Sequence, residues 1–98
     1  MQLTGARKLS DILKQNVGLK KLAVREASLD DHLIEVLSEG IRESLCLTYL
    51  DLRDNNFEEA GLRMLVEALK VNMSIGHLFL VGHRIDRKEA YLFTSLFN

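Results

Sequence analysis

No proline and no tryptophan occur in the 98 residues, and cysteine occurs once. Without proline there is no Pro-rich linker and no obvious internal boundary, so the chain reads as a single domain. The lone cysteine, Cys46, excludes an internal disulfide framework and fits a reducing compartment. An excess of charge is missing too: 13 basic residues stand against 14 acidic ones, for a net charge of −1. A dedicated nucleic-acid binder usually shows a strong basic excess, so nucleic acid is not an expected partner. No run approaches the roughly 20 apolar residues of a membrane span. The opening Met1-Gln-Leu-Thr-Gly-Ala-Arg-Lys puts charge where a secretory leader needs an apolar stretch. A cytosolic or nuclear protein follows, with cytoplasmic as the expectation and no membrane partner.

Sites of chemistry are also lacking. No nucleophile elbow, phosphate loop or paired-carboxylate site is present, so we expect no enzyme, no catalytic residue and no cofactor. His77 and His83 lie six residues apart, but no cysteine or second acid stands at ligand spacing, so no metal site is expected. Cys46 has no flanking cation to lower its pKa and reads as a small structural residue.

What the chain does have is a period. Leu19, Leu47 and Ile75 are 28 residues apart, and so are Leu22, Leu50 and Leu78. Val24, Leu52 and Leu80 follow, then Leu29, Phe57 and Ile85. Two longer columns keep the same step: Leu9, Leu37, Leu65 and Phe93, and Leu13, Ile41, Leu69 and Phe97. A period of this length marks a stacked array, in which each unit buries its apolar face against its neighbours.

Within a unit the pattern changes from strand to helix. From Leu47 to Phe57, Leu50 and Leu52 fall on one face and Tyr49, Asp51 and Arg53 on the other, the alternation of a half-buried strand. Then Leu62, Leu65, Val66 and Leu69 recur at helical spacing, with Glu58 and Glu59 at the start and Lys70 at the end, as the helix dipole favours. The preceding unit repeats this with Leu22 and Val24, then Ile34, Leu37 and Ile41 between Asp30–Asp31 and Arg42. The following one has Leu78 and Leu80, then Ala90, Phe93 and Phe97, with Asp86 and Glu89 spaced as a capping box. Residues 4–16 match the helical half alone, with Ala6, Leu9, Ile12 and Leu13 inward. The expected architecture is α/β: a short parallel sheet of three strands backed by a row of four helices. Its parts are a half-repeat helix at 4–18 and repeats at 19–46, 47–74 and 75–98.

Leu47 to Phe57 resembles the leucine-rich-repeat consensus L-x-x-L-x-L-x-x-N-x-L at every position, with Asn55 at the asparagine. Gly61, Leu65, Leu69 and the 28-residue unit make it similar to the ribonuclease-inhibitor type of that repeat. The stretch Ala68-Leu-Lys-Val-Asn72-Met-Ser-Ile75 resembles the helix-to-strand joint of NOD-like receptor tails and tropomodulin-like proteins. The resemblance implies a leucine-rich-repeat solenoid. It also implies that Asn55 bonds to backbone in the turn after its strand. The asparagine column reads Ala27, Asn55, His83, and the glycine column Gly5, Leu33, Gly61, Glu89. Only the middle unit is near ideal, and degenerate outer units are expected at the ends of a short array.

Function is expected on the strand face turned away from the core, the concave surface by which such arrays bind partners. Its columns are Lys21-Tyr49-His77, Ala23-Asp51-Phe79 and Arg25-Arg53-Val81. Candidate partner-binding residues are therefore Lys21, Arg25, Tyr49, Asp51, Arg53, His77, Phe79 and Val81. Tyr49 and Arg53 lead, because Tyr and Arg are favoured as energetic anchors. Arg53 could instead pair with Asp51 of a neighbouring row or with Asp54. Phe79 is costly to leave bare, so a partner or a flanking segment is expected to cover it. The leading expectation is a noncatalytic protein-interaction scaffold. Two alternatives stand beside it: a self-associating subunit, joined through the open third strand or the apolar last helix, and a regulator of an enzyme or GTPase. The last helix carries Tyr91, Leu92, Phe93, Leu96 and Phe97 most of the way round, so a further repeat or a partner should cover that end.

Overall fold

Alternating and helical periods place every element of the computed structural model, which describes residues 1–15 and 18–80. Three helices, Leu3–Gln15 (α1), Asp31–Glu43 (α2) and Glu59–Val71 (α3), are each 13 residues long and begin at the same point of the 28-residue step. Three strands keep the same step: Lys21–Ala23 (β1), Tyr49–Asp51 (β2) and His77–Phe79 (β3). They form a parallel sheet in the order β1-β2-β3. Its register joins Lys21 to Tyr49 to His77, Leu22 to Leu50 to Leu78, and Ala23 to Asp51 to Phe79. A parallel pair needs a crossover, and α2 and α3 supply the two, while α1 precedes the first strand. The protein is thus a small α/β domain of three parallel strands and, among the described residues, three helices. The fourth helix expected near the end falls on residues 81–98, outside them, as do Val81, His83 and the Asp86–Glu89 pair.

The core lies between sheet and helices. Leu22, Val24, Leu47, Leu50 and Leu52 meet Ile34, Leu37, Ile41, Leu62 and Leu65 there, all buried. Burial of each such side chain stabilises the fold by about 1.5–3 kcal/mol. Ile12 was expected inward and is instead 39% exposed. Its column continues as Gly40 and Ala68, which face the helix before them, and among the described residues no helix stands before α1. Ser10 takes the contact instead: a Cβ added to Gly40 would stand 2.6 Å from the Ser10 carbonyl oxygen and 2.7 Å from its Cα. Glycine is therefore what lets α1 and α2 approach backbone to side.

The start of α3 depends on α2. Asp30 caps its own helix, accepting from the Leu33 N–H at 2.9 Å. Glu58, in the equivalent position, makes no such bond. The Asp31 carboxylate supplies it from the neighbouring helix, accepting from the N–H groups of Glu58 (2.7 Å) and Gly61 (3.0 Å). Gly61 has to be glycine for this, since its Cβ would lie 2.5 Å from both the Asp31 oxygen and the Ile34 methyl. None of the described helices is long and apolar enough to cross a membrane.

Candidate partner-binding face

The two turns that bracket β2 and β3 hold the strands in step, and each does so through one asparagine. In the turn after β2, Asn55 is buried, and its Oδ1 accepts from the N–H groups of Ala27 (3.0 Å) and Leu29 (3.1 Å) in the preceding unit. Its Nδ2 donates to the carbonyls of Val24 (2.6 Å), Leu52 (3.0 Å) and, more weakly, Arg53 (3.3 Å). Ala27, whose side chain cannot make such bonds, instead donates its backbone N–H to Asn55. In the turn before β3, Asn72 Nδ2 donates to the carbonyls of Ile41 (2.7 Å) and Ser44 (3.0 Å), while its Oδ1 accepts from the N–H groups of Ser74 and Ile75, both at 2.8 Å. Ser44 fills the same column one unit earlier, accepting from the Leu47 N–H at 3.1 Å. Asn72 was noted in the sequence only as part of a joint. The column Asn16-Ser44-Asn72, small and hydrogen-bonding throughout, was the available signal.

With the strands so fixed, the face away from the helices carries an aromatic group at its centre. Tyr49 lies 5.0 Å from Phe79 and 6.3 Å from His77 between ring centroids, both pairs tilted. The Lys21 ammonium sits 5.7 Å from the Tyr49 ring centre, and the Arg53 guanidinium 5.3 Å from that of Phe79, each a cation–π contact. Phe79 is half-buried by these neighbours, Tyr49 and Arg53 are likewise half-buried, and Lys21, Ala23, Arg25 and His77 are exposed. The structure therefore brings Lys21, Tyr49, Arg53, His77 and Phe79 into one contiguous group, with Arg25 beside it.

Asp51 differs from what the strand alternation implied. It was expected on the accessible face, yet only 2% of it is exposed. A bidentate pair with Arg53 accounts for this: Nε to Oδ1 at 2.9 Å and Nη2 to Oδ2 at 2.7 Å, with the Arg53 N–H also donating to Oδ1 at 3.1 Å. The partner of Arg53 is thus Asp51 of its own strand, two residues back, rather than of a neighbouring row. Asp54 is instead met by Arg25, at 3.7 Å, and Arg25 also stands 3.9 Å from Asp51. The side-chain hydrogen bond from Arg53 holds the Asp51 carboxyl below its ordinary pKa, against the upward push of burial, and the Arg53 N–H and the charges of Arg53 and Arg25 add to it. The same hydrogen bond raises the Arg53 guanidinium above its own ordinary value. Asp51 thus fixes Arg53 over Phe79, with Lys21 and Arg25 as the exposed cations of the face.

Among the described residues no group of three His, Cys, Asp or Glu side chains gathers to hold a metal ion. On the helical side, a shallow groove of about 350 Å³ between α2 and α3 has charges of both signs on its rim, including Glu35, Arg42 and Arg63.

No protein-family model matches the chain, and no curated protein sequence does. A solved structure similar in shape is Leiomodin-1 Actin-Binding Site 2 (ABS2), with a TM-score of 0.59 over 99% of this chain and 72% of that one. The two are 15% identical, so the likeness is one of fold.

Proposed function

We propose that the chain is a noncatalytic protein-interaction module. In this reading it is a leucine-rich-repeat solenoid of ribonuclease-inhibitor type whose concave strand face contacts the partner. The observation that carries the proposal is the group Tyr49, Phe79 and Arg53, flanked by Lys21 and Arg25. Aromatic rings held in place by a clamped arginine lose little side-chain entropy on binding, which is the property of interface anchors. The columns of 28-residue spacing and the asparagine in the turn support the repeat assignment. A cytoplasmic location accords with a single cysteine.

The neighbour's title names an actin-binding site, so actin is the first partner to try. The test is cosedimentation with filamentous actin and anisotropy with monomeric actin, alongside crosslinking of the chain to partners in cell extract. Wild-type protein and the Tyr49→Ala, Arg53→Ala, Phe79→Ala triple variant are compared. Binding that weakens at least roughly tenfold in the triple variant supports the concave face. If every partner captured by the wild type is captured equally by the variant, this face is not the contact surface.

A further inference from the structure

Three helices pointing the same way add their end charges instead of cancelling them. Acids gather where strands end and helices begin: Glu26, Asp30, Asp31, Asp54, Glu58 and Glu59. Bases gather along the opposite rim, where helices end and strands begin. Lys14, Arg42 and Lys70 stand there one per helix in a single 28-residue column, followed by Lys20 and Lys21. Each set complements the helix dipoles. Lys14 is offset by Glu39 and Glu43, and Lys70 by Glu67. Lys20 and Arg42 are exposed and take part in no ion pair among the described residues.

The basic rim is also the apolar one. Leu45 is 76% exposed, Met73 92% and Val71 48%, and no large hydrophobic residue is exposed among the described residues of the acidic rim. Leu45 and Met73 occupy one column on adjacent turns, which are tied by the Asn72 bonds to Ile41 and Ser44 and by the Ser74 hydroxyl donating to the Ser44 carbonyl at 3.3 Å. Side chains of this size exposed on the rim that also carries Lys20 and Arg42 mark a surface suited to a partner.

We propose that this rim is a docking surface for an acidic amphipathic segment of a partner protein. Its apolar side chains would cover Leu45 and Met73, and its carboxylates would face Lys20 and Arg42. Charge complementarity selects an acidic partner, and the exposed Leu and Met select one with apolar residues. A second copy of this chain would bring its acidic rim, whose described residues offer carboxylates but no exposed large hydrophobic side chain to cover Leu45 and Met73. An anionic lipid surface shares the charge of such a segment, and vesicle binding separates the two. The surface is separate from the strand face and the two readings stand independently.

The probe is a labelled helical peptide of about 18 residues, with Leu at i, i+3, i+4 and i+7 and Glu elsewhere, read by fluorescence anisotropy. A control peptide carries Lys in place of Glu, and vesicles of phosphatidylcholine and phosphatidylserine test the lipid alternative. The acidic peptide is expected to bind, more weakly as salt rises. The Leu45→Ser, Met73→Ser pair should lower affinity roughly tenfold and Arg42→Glu severalfold, while Tyr49→Ala and Phe79→Ala leave it unchanged. Both substituted residues are largely solvated, and an unchanged thermal unfolding curve checks that the variants fold. The proposal is overturned if the basic peptide binds as well, if the acidic peptide does not bind, or if the double variant binds it unchanged. Vesicle binding, or a concentration-dependent dimer, that the double variant loses while the acidic peptide fails to bind would also overturn it.

Discussion

The turn after the strand and the turn before it are each held by one asparagine, used in different ways. Asn55 reaches back to the preceding unit with both ends of its amide, its oxygen meeting the N–H groups of Ala27 and Leu29 just ahead of α2 and its nitrogen the Val24 carbonyl. Asn72 reaches back with its nitrogen, meeting the carbonyls of Ile41 and Ser44 at the end of α2. The Ala27 and Leu29 N–H groups belong to the turn ahead of α2, whereas the Ile41 and Ser44 carbonyls stand at its end, where a helix leaves carbonyls unpaired. The first rim therefore needs an acceptor as well as a donor, and the second a donor. Asparagine suits both because it carries donor and acceptor on one short side chain.

The rims differ in burial as well, and this sets how much each asparagine should matter. Asn55 is buried, whereas Asn72 is half-exposed. Replacing Asn55 by Ala leaves two backbone N–H groups without an acceptor, and should destabilise the protein by about 3 kcal/mol in urea unfolding. Asn72→Ala removes bonds that water can partly replace, and should cost about 1 kcal/mol in the same measurement. Equal losses would break the comparison, because burial would then not be what separates the two turns.

The smallest effect expected is one that acid removes. The Asp51 carboxyl is held below its ordinary pKa by the Arg53 hydrogen bond, so its ionised form stabilises the folded state. That contribution is present in full above the ordinary carboxylate pKa of about 4 and is lost as pH falls through the depressed folded value. Unfolding midpoints of wild type and Asp51→Asn should keep a constant separation from about pH 7 to pH 5 and converge below about pH 4. A separation that persists undiminished in acid would show that the Asp51–Arg53 clamp acts through shape and not through charge.

Much of this framework was legible in the residues themselves. The columns Leu22-Leu50-Leu78 and Lys21-Tyr49-His77 became the sheet register, because side-chain alternation and a constant step leave one alignment that buries the leucines. Asn55 was legible through its consensus position. Asp31 was not: an acid at a helix start satisfies the dipole whether it caps its own helix or the next one, so composition cannot tell the two apart. Gly40 lay outside the columns of large apolar residues, and only the approach of Ser10 gives it meaning. Asp51 followed the strand alternation outward, yet a bidentate arginine two residues on covered it. Ile12 followed the helical stripe inward, but none of the described helices covers it. Periodicity reports which side chains face the core, and it is silent on polar side chains that fold back along the chain.

The exchange of caps between units bears on how the chain is made. The first N–H groups of α3 are received by Asp31, a residue already synthesised when they emerge. The Ala27 and Leu29 N–H groups wait for Asn55, which is still to come. One dependency runs forward along the nascent chain and the other backward. The earlier unit can guide the later one, yet neither reaches its full set of hydrogen bonds until both have been translated.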